Sequence, residues 1–213
     1  MYARPRARAP GSEKRVAQTC FPRSAAFRVA HGYRCWYIVG VSRLRRPFLF
    51  DRYIFVTVRL LPSRAKLETG DYERLARSLT RMRQKHGLAI TAWVFLPEHW
   101  HAIIYPPYPL TISTVFQAVK VSSMRGINVR RRERGELWQD RFFDRALRTV
   151  KEYNETVEYI HLNPVRRSLV KRATDWKWSS VHEYAGVSGE ERERRCGLRI
   201  DRVRLPADEN TRI

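Results

Sequence analysis

The stretch LAITAWVFLPEHWHAIIY, residues Leu88 to Tyr105, contains two apolar runs separated by Pro97 and Glu98. Both runs are rich in β-branched and aromatic residues, which are favoured in strands. A proline followed by a polar residue between two such runs is typical of a tight turn. The stretch therefore predicts two antiparallel strands that are joined at Pro97 and Glu98.

The segments before this hairpin show first a strand pattern and then a helix pattern. RYIFVTVRL, at 52–60, is β-branched and aromatic and predicts a strand. GDYERLARSLTRMRQKHG, at 70–87, carries apolar residues at helical spacing. We predict a helix there, with Asp71 capping its start and Gly87 its end.

After the hairpin the same alternation returns. Thr111 is expected to cap a second helix that runs to Arg132, and LWQDRFFDRALR, at 137–148, is expected to hold a fourth strand. A capping box of Thr149 and Glu152 begins a third helix, which Pro164 is expected to stop. The segment DWKWSSVHEY, at 175–184, is expected to pack its aromatic residues back onto the core.

The predicted order is thus β-α-β-β-α-β, followed by a further helix. This order is typical of the α+β class and of the ferredoxin-like, split βαβ sandwich, an antiparallel sheet with helices on one face. We expect this domain to occupy residues 47–186. A basic, disordered N-terminal arm is expected at 1–46 and a charged, flexible C-terminal tail at 187–213.

The arm has two interpretations that the sequence leaves open. Arginine, proline and alanine recur in it without a helical or strand period, so it could bind phosphates without sequence specificity. Alternatively, translation begins near Val41 and the preceding residues are not part of the protein.

Composition narrows the class of partner and the compartment. The chain of 213 residues has a formal net charge of +21, which indicates a polyanion, with nucleic acid first and an anionic membrane surface second. No apolar run is long enough to span a bilayer. Cys20, Cys35 and Cys196 are too widely spaced for a zinc site or a disulfide framework, so we expect a protein of the reducing cytoplasm.

Two histidines stand out within the predicted hairpin. Alternate residues of a strand share a face, so His99 and His101 point the same way and Trp100 points the other way. Two imidazoles in that arrangement can converge on one cation. The alternative is a pair of satisfied polar residues on a half-exposed strand.

A second candidate group lies on the predicted third helix. Tyr159 and Asn163 are four residues apart and share a helix face, at the flank of an apolar stripe that includes Tyr153. Two imidazoles and an amide oxygen could hold a divalent ion at a phosphate, and a phenol could attack the phosphorus. Tyr153 is the rival nucleophile, but its place on the stripe predicts burial. The alternative is a boundary tyrosine with Asn163 as a helix cap.

The motifs FLPEHWHAII, LWQDRFFDRALR, EYIHLNPVRRSLV and WKWSS, in this order, resemble those of the REP-associated tyrosine transposases. That family is the single-tyrosine branch of the HUH (His-hydrophobic-His) endonucleases, and the resemblance covers Pro47 to Gly186. It implies that His99 and His101 bind Mg²⁺ or Mn²⁺, that Asn163 takes the place of the third ligand and that Tyr159 is the nucleophile.

The resemblance also implies a substrate and a reaction. Members of the family cut single-stranded DNA, often at the foot of a hairpin, and hold the 5′ end on the tyrosine. Both a monomer and a homodimer are compatible with it, since related insertion-sequence enzymes exchange the tyrosine helix. The family commonly has Pro-Asn-His where this chain has Pro97, Glu98 and His99; Glu98 either caps the turn or brings a carboxylate near the metal.

Basic and aromatic residues around these motifs are candidates for DNA binding. The alternative for the arginines is an ordinary solvated surface, and the alternative for the aromatic residues is a place in the core. The basic candidates are Lys120, Arg125, Arg130, Arg131, Arg132, Arg141, Arg145, Arg166 and Arg167, and the aromatic ones are Trp138, Phe142, Trp176 and Trp178.

Three hypotheses of function follow. The first is a metal-dependent DNA nickase and strand transferase of the transposase type. The second is a catalytically inactive or domesticated sequence-specific DNA-binding protein. The third is a metallohydrolase with water as the nucleophile.

Overall fold

A computed structural model of the chain describes residues 52–185 and 197–213. The order of elements along the chain is the predicted one. The strands are β1 (Ile54–Arg59), β2 (Ala89–Phe95), β3 (His99–Tyr105) and β4 (Phe143–Ala146). The helices are α1 (Thr69–His86), α2 (Ile112–Arg131), α3 (Val150–Arg166) and, after a 3₁₀ turn at Ala173–Asp175, the short α4 (Val181–Tyr184).

The four strands form one antiparallel sheet in the order β2-β3-β1-β4. The two strands that are central in space, β3 and β1, are therefore not neighbours in sequence. This is the topology of a split βαβ sandwich. The α+β, ferredoxin-like fold class is confirmed.

Helices cover both faces of this sheet. The first two, α1 and α2, pack on the face that carries Trp100, Ala102 and Ile104, as expected for the split βαβ unit. The additional helix, α3, packs on the opposite face, against Phe55 and Ile103. The central strands have apolar side chains on both faces, and each face must be shielded from water.

The observed capping residues of α1 and α2 agree in part with the predicted ones. Thr111 caps α2 by accepting a hydrogen bond from the backbone N–H of Thr114 at 3.2 Å, and Gly87 ends α1 with φ +66°. Asp71 is not the N-cap of α1. Glu68 occupies that position, and the Asp71 carboxylate reaches back to the backbone N–H of Glu68 at 3.0 Å.

The third helix begins where predicted and ends later than predicted. Thr149 accepts from the backbone N–H of Glu152 at 3.2 Å. Pro164 does not stop the helix, which continues to Arg166. A proline removes only its own N–H donor, and residues beyond it still bond to earlier carbonyls, as Arg167 does to Asn163 at 3.1 Å.

The edge strand β2 is covered by segments that follow α3. The backbone N–H of Phe95 donates to the carbonyl of Trp178 at 2.9 Å, and Ser180 bonds to the backbone of Trp93. Trp178 is buried, so the predicted return of this segment to the core is confirmed. Such a cover satisfies an edge that would otherwise present unpaired backbone groups.

Residues 197–213 do not form the flexible tail that their charge suggests. Leu198 is buried in the core beside α1, and the Asp201 carboxylate accepts from the backbone N–H of Ile90 at 2.9 Å. The backbone N–H of Ile213 donates to the carbonyl of Arg148 at 3.0 Å. The buried Leu198 side chain and the hydrogen bond of Asp201 to the edge strand β2 hold this segment against the domain.

The predicted N-terminal arm, the first part of the tail at 187–196 and the three cysteines lie outside the described residues. Within 52–185 and 197–213, every helix is too short or too polar to cross a lipid bilayer.

Candidate active site

The two histidines lie side by side on the sheet face that α3 covers. In the β1–β3 pairing His101 is opposite Thr57 and His99 is opposite Arg59. The imidazole centroids of His99 and His101 are 4.8 Å apart, and the residues are only 2% and 3% exposed. The predicted common face is confirmed, but the strand is buried here rather than half exposed.

Hydrogen bonds fix the orientation of the His101 ring. Nδ1 of His101 is 2.8 Å from the hydroxyl oxygen of Thr57, and Nε2 is 3.2 Å from the amide nitrogen of Asn163. Because an amide nitrogen can only donate, Nε2 is the acceptor and Nδ1 carries the hydrogen. The unprotonated nitrogen of His101 therefore faces α3.

Both imidazoles are neutral at physiological pH. Burial, the largest cause, acts together with the charges of His101, Arg167 and Arg59 to lower the pKa of His99 to about 2. Burial and the charges of Arg167 and Arg59 lower the pKa of His101 to about 3. A neutral imidazole is the form that binds a metal ion.

Tyr159, on α3, lies beside the two histidines. Its ring centroid is 5.4 Å from that of His101 and 5.9 Å from that of Phe55. The guanidinium carbon of Arg166 is 5.5 Å from the centre of the phenol ring. Tyr159 is partly exposed, so the phenol and the imidazole pair meet on one accessible flank of α3.

The other members of this helix follow the predicted faces. Asn163, four residues after Tyr159, also accepts a hydrogen bond from Nε of Arg167 at 3.2 Å. Tyr153 is 5% exposed and its ring packs 5.2 Å from that of Tyr53, as expected for a core position. Tyr159 is therefore the tyrosine that is available to a substrate.

The side chains present fit a divalent ion with a small number of protein ligands. In the described part of the chain, no third histidine, cysteine or carboxylate joins the histidine pair. The groups that could hold such an ion are the two neutral imidazoles and the amide of Asn163, a set that would leave coordination positions open. The Glu98 carboxylate pairs with Lys66 at 3.0 Å.

Comparisons with known proteins show the family to which the chain belongs. The family model for the IS200-like transposases matches residues 52–163, which include both histidines, Tyr159 and Asn163. The chain belongs to this transposase family. A REP-associated tyrosine transposase of Escherichia coli K12 is 32% identical over 143 residues, which are 67% of this chain and 84% of the relative.

Two further matches point to the same group of transposases. A relative in Haemophilus influenzae with the same family name is 29% identical over 153 residues, covering 67% of this chain and 86% of the relative. A solved REP-associated tyrosine transposase, bound to a REP hairpin, is 27% identical with a TM-score of 0.61. That match covers 81% of this chain and 98% of the other.

Three of the basic residues predicted to bind DNA lie at the transposase's histidine–tyrosine cluster. Arg166 and Arg167 end α3 beside Tyr159 and Asn163. Arg145 is exposed on β4, opposite Phe55, and donates a hydrogen bond to the hydroxyl of Thr156 on α3 at 3.2 Å. Of the predicted set, these three lie on α3, at its end or against it.

The other basic residues that were predicted to bind DNA lie on α2, at its end or before β4. The guanidinium groups of Arg130 and Arg131 bind the buried Asp71 carboxylate, and Lys120 donates to the backbone carbonyls of Gln139 and Asp140. These contacts lie on α2, on the other side of the sheet. The remaining three of the set are exposed: Arg125 and Arg132 on α2 and its end, and Arg141 before β4.

Most of the aromatic candidates for base stacking are part of the core. Trp138 and Trp178 are buried, and the ring of Phe142 stacks on Phe116 with centroids 4.7 Å apart. The indole N–H of Trp176 donates to the carbonyl of Phe95 at 2.9 Å. The core interpretation of these side chains is thus the one that the structure favours.

Sequence reasoning missed two residues of β1 that complete the site of this transposase. Thr57 holds the His101 ring, and Arg59 lies opposite His99 and is exposed. The available signal was the alternation in this strand, where Thr57 and Arg59 share one face and Val56 and Val58 share the other.

Proposed function

We propose that this transposase cuts single-stranded DNA at hairpin-flanked sites and rejoins the strand through a covalent intermediate on Tyr159. The observation that carries the proposal is the packing of the partly exposed Tyr159 ring against His101, with centroids 5.4 Å apart. The hairpin is proposed because the solved relative is bound to a REP hairpin.

In this mechanism the phenol oxygen of Tyr159 attacks the phosphorus of the scissile phosphodiester. A bond forms between that oxygen and phosphorus, and the bond from phosphorus to the 3′ oxygen breaks. The phenol proton is lost, and the released 3′ oxygen takes up a proton. The DNA is left with a free 3′ hydroxyl and a 5′ phosphate on Tyr159, and attack by another 3′ hydroxyl reverses these changes.

His99, His101 and Asn163 would hold Mg²⁺ or Mn²⁺ beside this phosphate. When bound, such an ion offsets the negative charge that develops on the phosphate oxygens. The protein's own part is to keep both imidazoles neutral by burial and to aim His101 with the Thr57 hydroxyl. Arg166 and Arg167 add positive charge at the same end of α3.

The experiment is a search for the covalent intermediate. The protein is incubated with Mn²⁺ and a labelled single strand that carries a hairpin and its flanking bases, and denaturing gels show any labelled protein. The wild type and Tyr153→Phe are expected to form the adduct, and Tyr159→Phe is expected to form none. Cutting by Tyr159→Phe without an adduct would support the metallohydrolase instead.

One contact favours a second candidate, a DNA-binding protein without catalysis. The hydrogen bond from the Asn163 amide occupies the lone pair of Nε2 of His101, the same lone pair that a metal ion would need. This candidate predicts that the wild type binds the hairpin strand and forms no adduct with either Mn²⁺ or Mg²⁺. The adduct assay therefore decides between the two.

A further inference from the structure

Phe143 is an exposed aromatic residue on the same sheet face as the imidazoles. It begins β4, the edge strand, and lies opposite Thr57, whose hydroxyl contacts His101. The residue is 37% exposed, although a phenylalanine gains stability from burial. An aromatic side chain left open to solvent beside a reactive cluster suggests a ligand that covers it.

One neighbour connects this ring to both halves of the site. The ring of Phe55 contacts Phe143 edge to face, with centroids 6.0 Å apart. Phe55 also stacks on His101 at 5.4 Å and meets Tyr159 at 5.9 Å. Phe143 is therefore held in place one ring away from the phenol and the imidazole.

The contrast with Phe142 shows that the position is specific. Phe142 and Phe143 are adjacent, yet Phe142 stacks on Phe116 on the α2 side of the sheet. Consecutive residues of an extended chain point to opposite faces, so one of the pair completes the core and the other faces the site.

Positive charge surrounds Phe143 on this face. Arg145, two residues along β4, shares its face and is exposed. Arg59 is exposed further along the same face, on β1. Polar cations that flank an open aromatic ring are the pattern by which proteins hold single-stranded nucleic acid, with phosphates on the cations and a base on the ring.

We infer that Phe143 is a stacking platform for an unpaired DNA base next to the phosphate that Tyr159 attacks, with Arg145 at a neighbouring phosphate. The occupant is a nucleobase of single-stranded DNA, because a flat apolar ring between cations matches a base between phosphates. The inference rests on the proposed function, since it states how the same site holds its substrate.

The test measures base-dependent binding without chemistry. The full chain is titrated, in EDTA, into fluorescein-labelled oligo(dT) of twelve nucleotides and into an abasic deoxyribose phosphate chain of equal length. The wild type is expected to prefer oligo(dT). Phe143→Ala is expected to bind oligo(dT) about 5- to 150-fold more weakly and to bind the abasic chain as the wild type does.

Two further variants keep the test decisive if the alanine variant does not fold. Phe143→Leu keeps the apolar volume without an aromatic face and should lose the preference for oligo(dT), whereas Phe143→Trp should keep it. Tyr108→Ala removes an exposed aromatic ring beyond the other end of β3 and should change neither affinity. Wild-type preference in Phe143→Leu, or an equal loss on both probes, would overturn the inference.

The outcome is separable from that of the proposed function. If the wild type forms no adduct but shows a preference for oligo(dT) that depends on Phe143, the covalent mechanism is contradicted and the stacking platform is still supported. If the wild type forms the adduct and the Phe143→Leu variant binds oligo(dT) like the wild type, the covalent mechanism is supported and the stacking platform is contradicted.

Discussion

The hydroxyl oxygen of Thr57 lies 2.8 Å from Nδ1 of His101, across the pairing of β1 with β3. This contact sets the ring so that its unprotonated Nε2 faces α3. Partners that orient a ligand histidine in this way commonly change metal affinity by 10- to 100-fold, roughly, when they are removed. We expect Thr57→Val to weaken Mn²⁺ binding by about that factor in calorimetric titrations.

Thr91 offers a matched control for this substitution. It is a buried threonine on β2 whose hydroxyl has no hydrogen-bond partner among the described residues. Thr91→Val should therefore leave Mn²⁺ affinity unchanged. Equal effects of the two substitutions would show that the loss at Thr57 reflects packing rather than orientation of His101.

Asn163 is predicted to contribute to the same metal site through its amide. Asn163→Ala removes this donor and also the contact of Arg167 with the end of α3. The Mn²⁺ concentration for half-maximal adduct formation should rise by at least about tenfold. Asn154→Ala, an exposed asparagine earlier on the same helix, should have no effect. An unchanged Mn²⁺ requirement in Asn163→Ala would exclude the amide as a ligand.

Local periodicity was sufficient to place the chemical groups on their elements. The two-residue repeat of a strand puts His99 and His101 on one face, and the four-residue repeat of a helix puts Tyr159 beside Asn163. The structure confirms both relationships. Each depends only on neighbours in sequence, and this is the reason that they could be derived without coordinates.

Relationships between distant segments could not be derived in this way. Nothing in the sequence shows that α3 covers the face of the histidines rather than the face of α1 and α2. The pairing of Arg131 with Asp71 joins residues 60 positions apart and removes this arginine from the DNA-binding set. Leu198 and Asp201 likewise belong to a segment whose composition is typical of a flexible tail. Leu198 packs in the core and Asp201 bonds to the edge strand β2, and both contacts are with residues far away in sequence.

Arg166 should contribute to DNA affinity mainly through charge. A residue that neutralises one phosphate of a single strand adds about 0.7 to the magnitude of the slope of log affinity against log salt concentration. Arg166→Ala should therefore lower the slope for single-stranded oligo(dT) by about 0.7, a value measured by anisotropy between low and moderate salt. The loss should be similar for different base sequences.

The control for Arg166 is an arginine with equal charge on the far side of the molecule. Arg81 is exposed on α1, which packs on the opposite sheet face from α3. Arg81→Ala should leave the salt slope unchanged. If both substitutions lower the slope equally, binding follows net charge, and the end of α3 has no special part in it.

Asp71 is expected to carry much of the stability of the α1–α2 pair. Its carboxylate is fully buried and accepts hydrogen bonds from Nε of Arg130 at 2.9 Å and from Nε of Arg131 at 3.1 Å. Asp71→Asn removes the buried counter-charge of these guanidinium groups, although Arg130 keeps its pairing with Glu68 at 3.0 Å, and should lower the free energy of unfolding by about 3 kcal/mol. Asp175→Asn, which breaks an exposed ion pair with Arg172, should change it little.

The loss in Asp71→Asn should also depend on pH, in a direction that the contacts of Asp71 determine. Burial raises the pKa of Asp71, but the hydrogen bonds from Arg130 and Arg131 lower it more, and the net pKa lies below the usual 3.8. A carboxylate whose folded pKa is depressed stabilises the fold fully above its unfolded pKa, and this contribution is lost as the pH falls through its folded pKa.

Urea unfolding should therefore show a constant difference in the free energy of unfolding between wild type and Asp71→Asn near neutral pH, and a shrinking difference below about pH 4. A difference that grows on acidification would mean that Asp71 is held neutral and that the arginine contacts do not stabilise its charge.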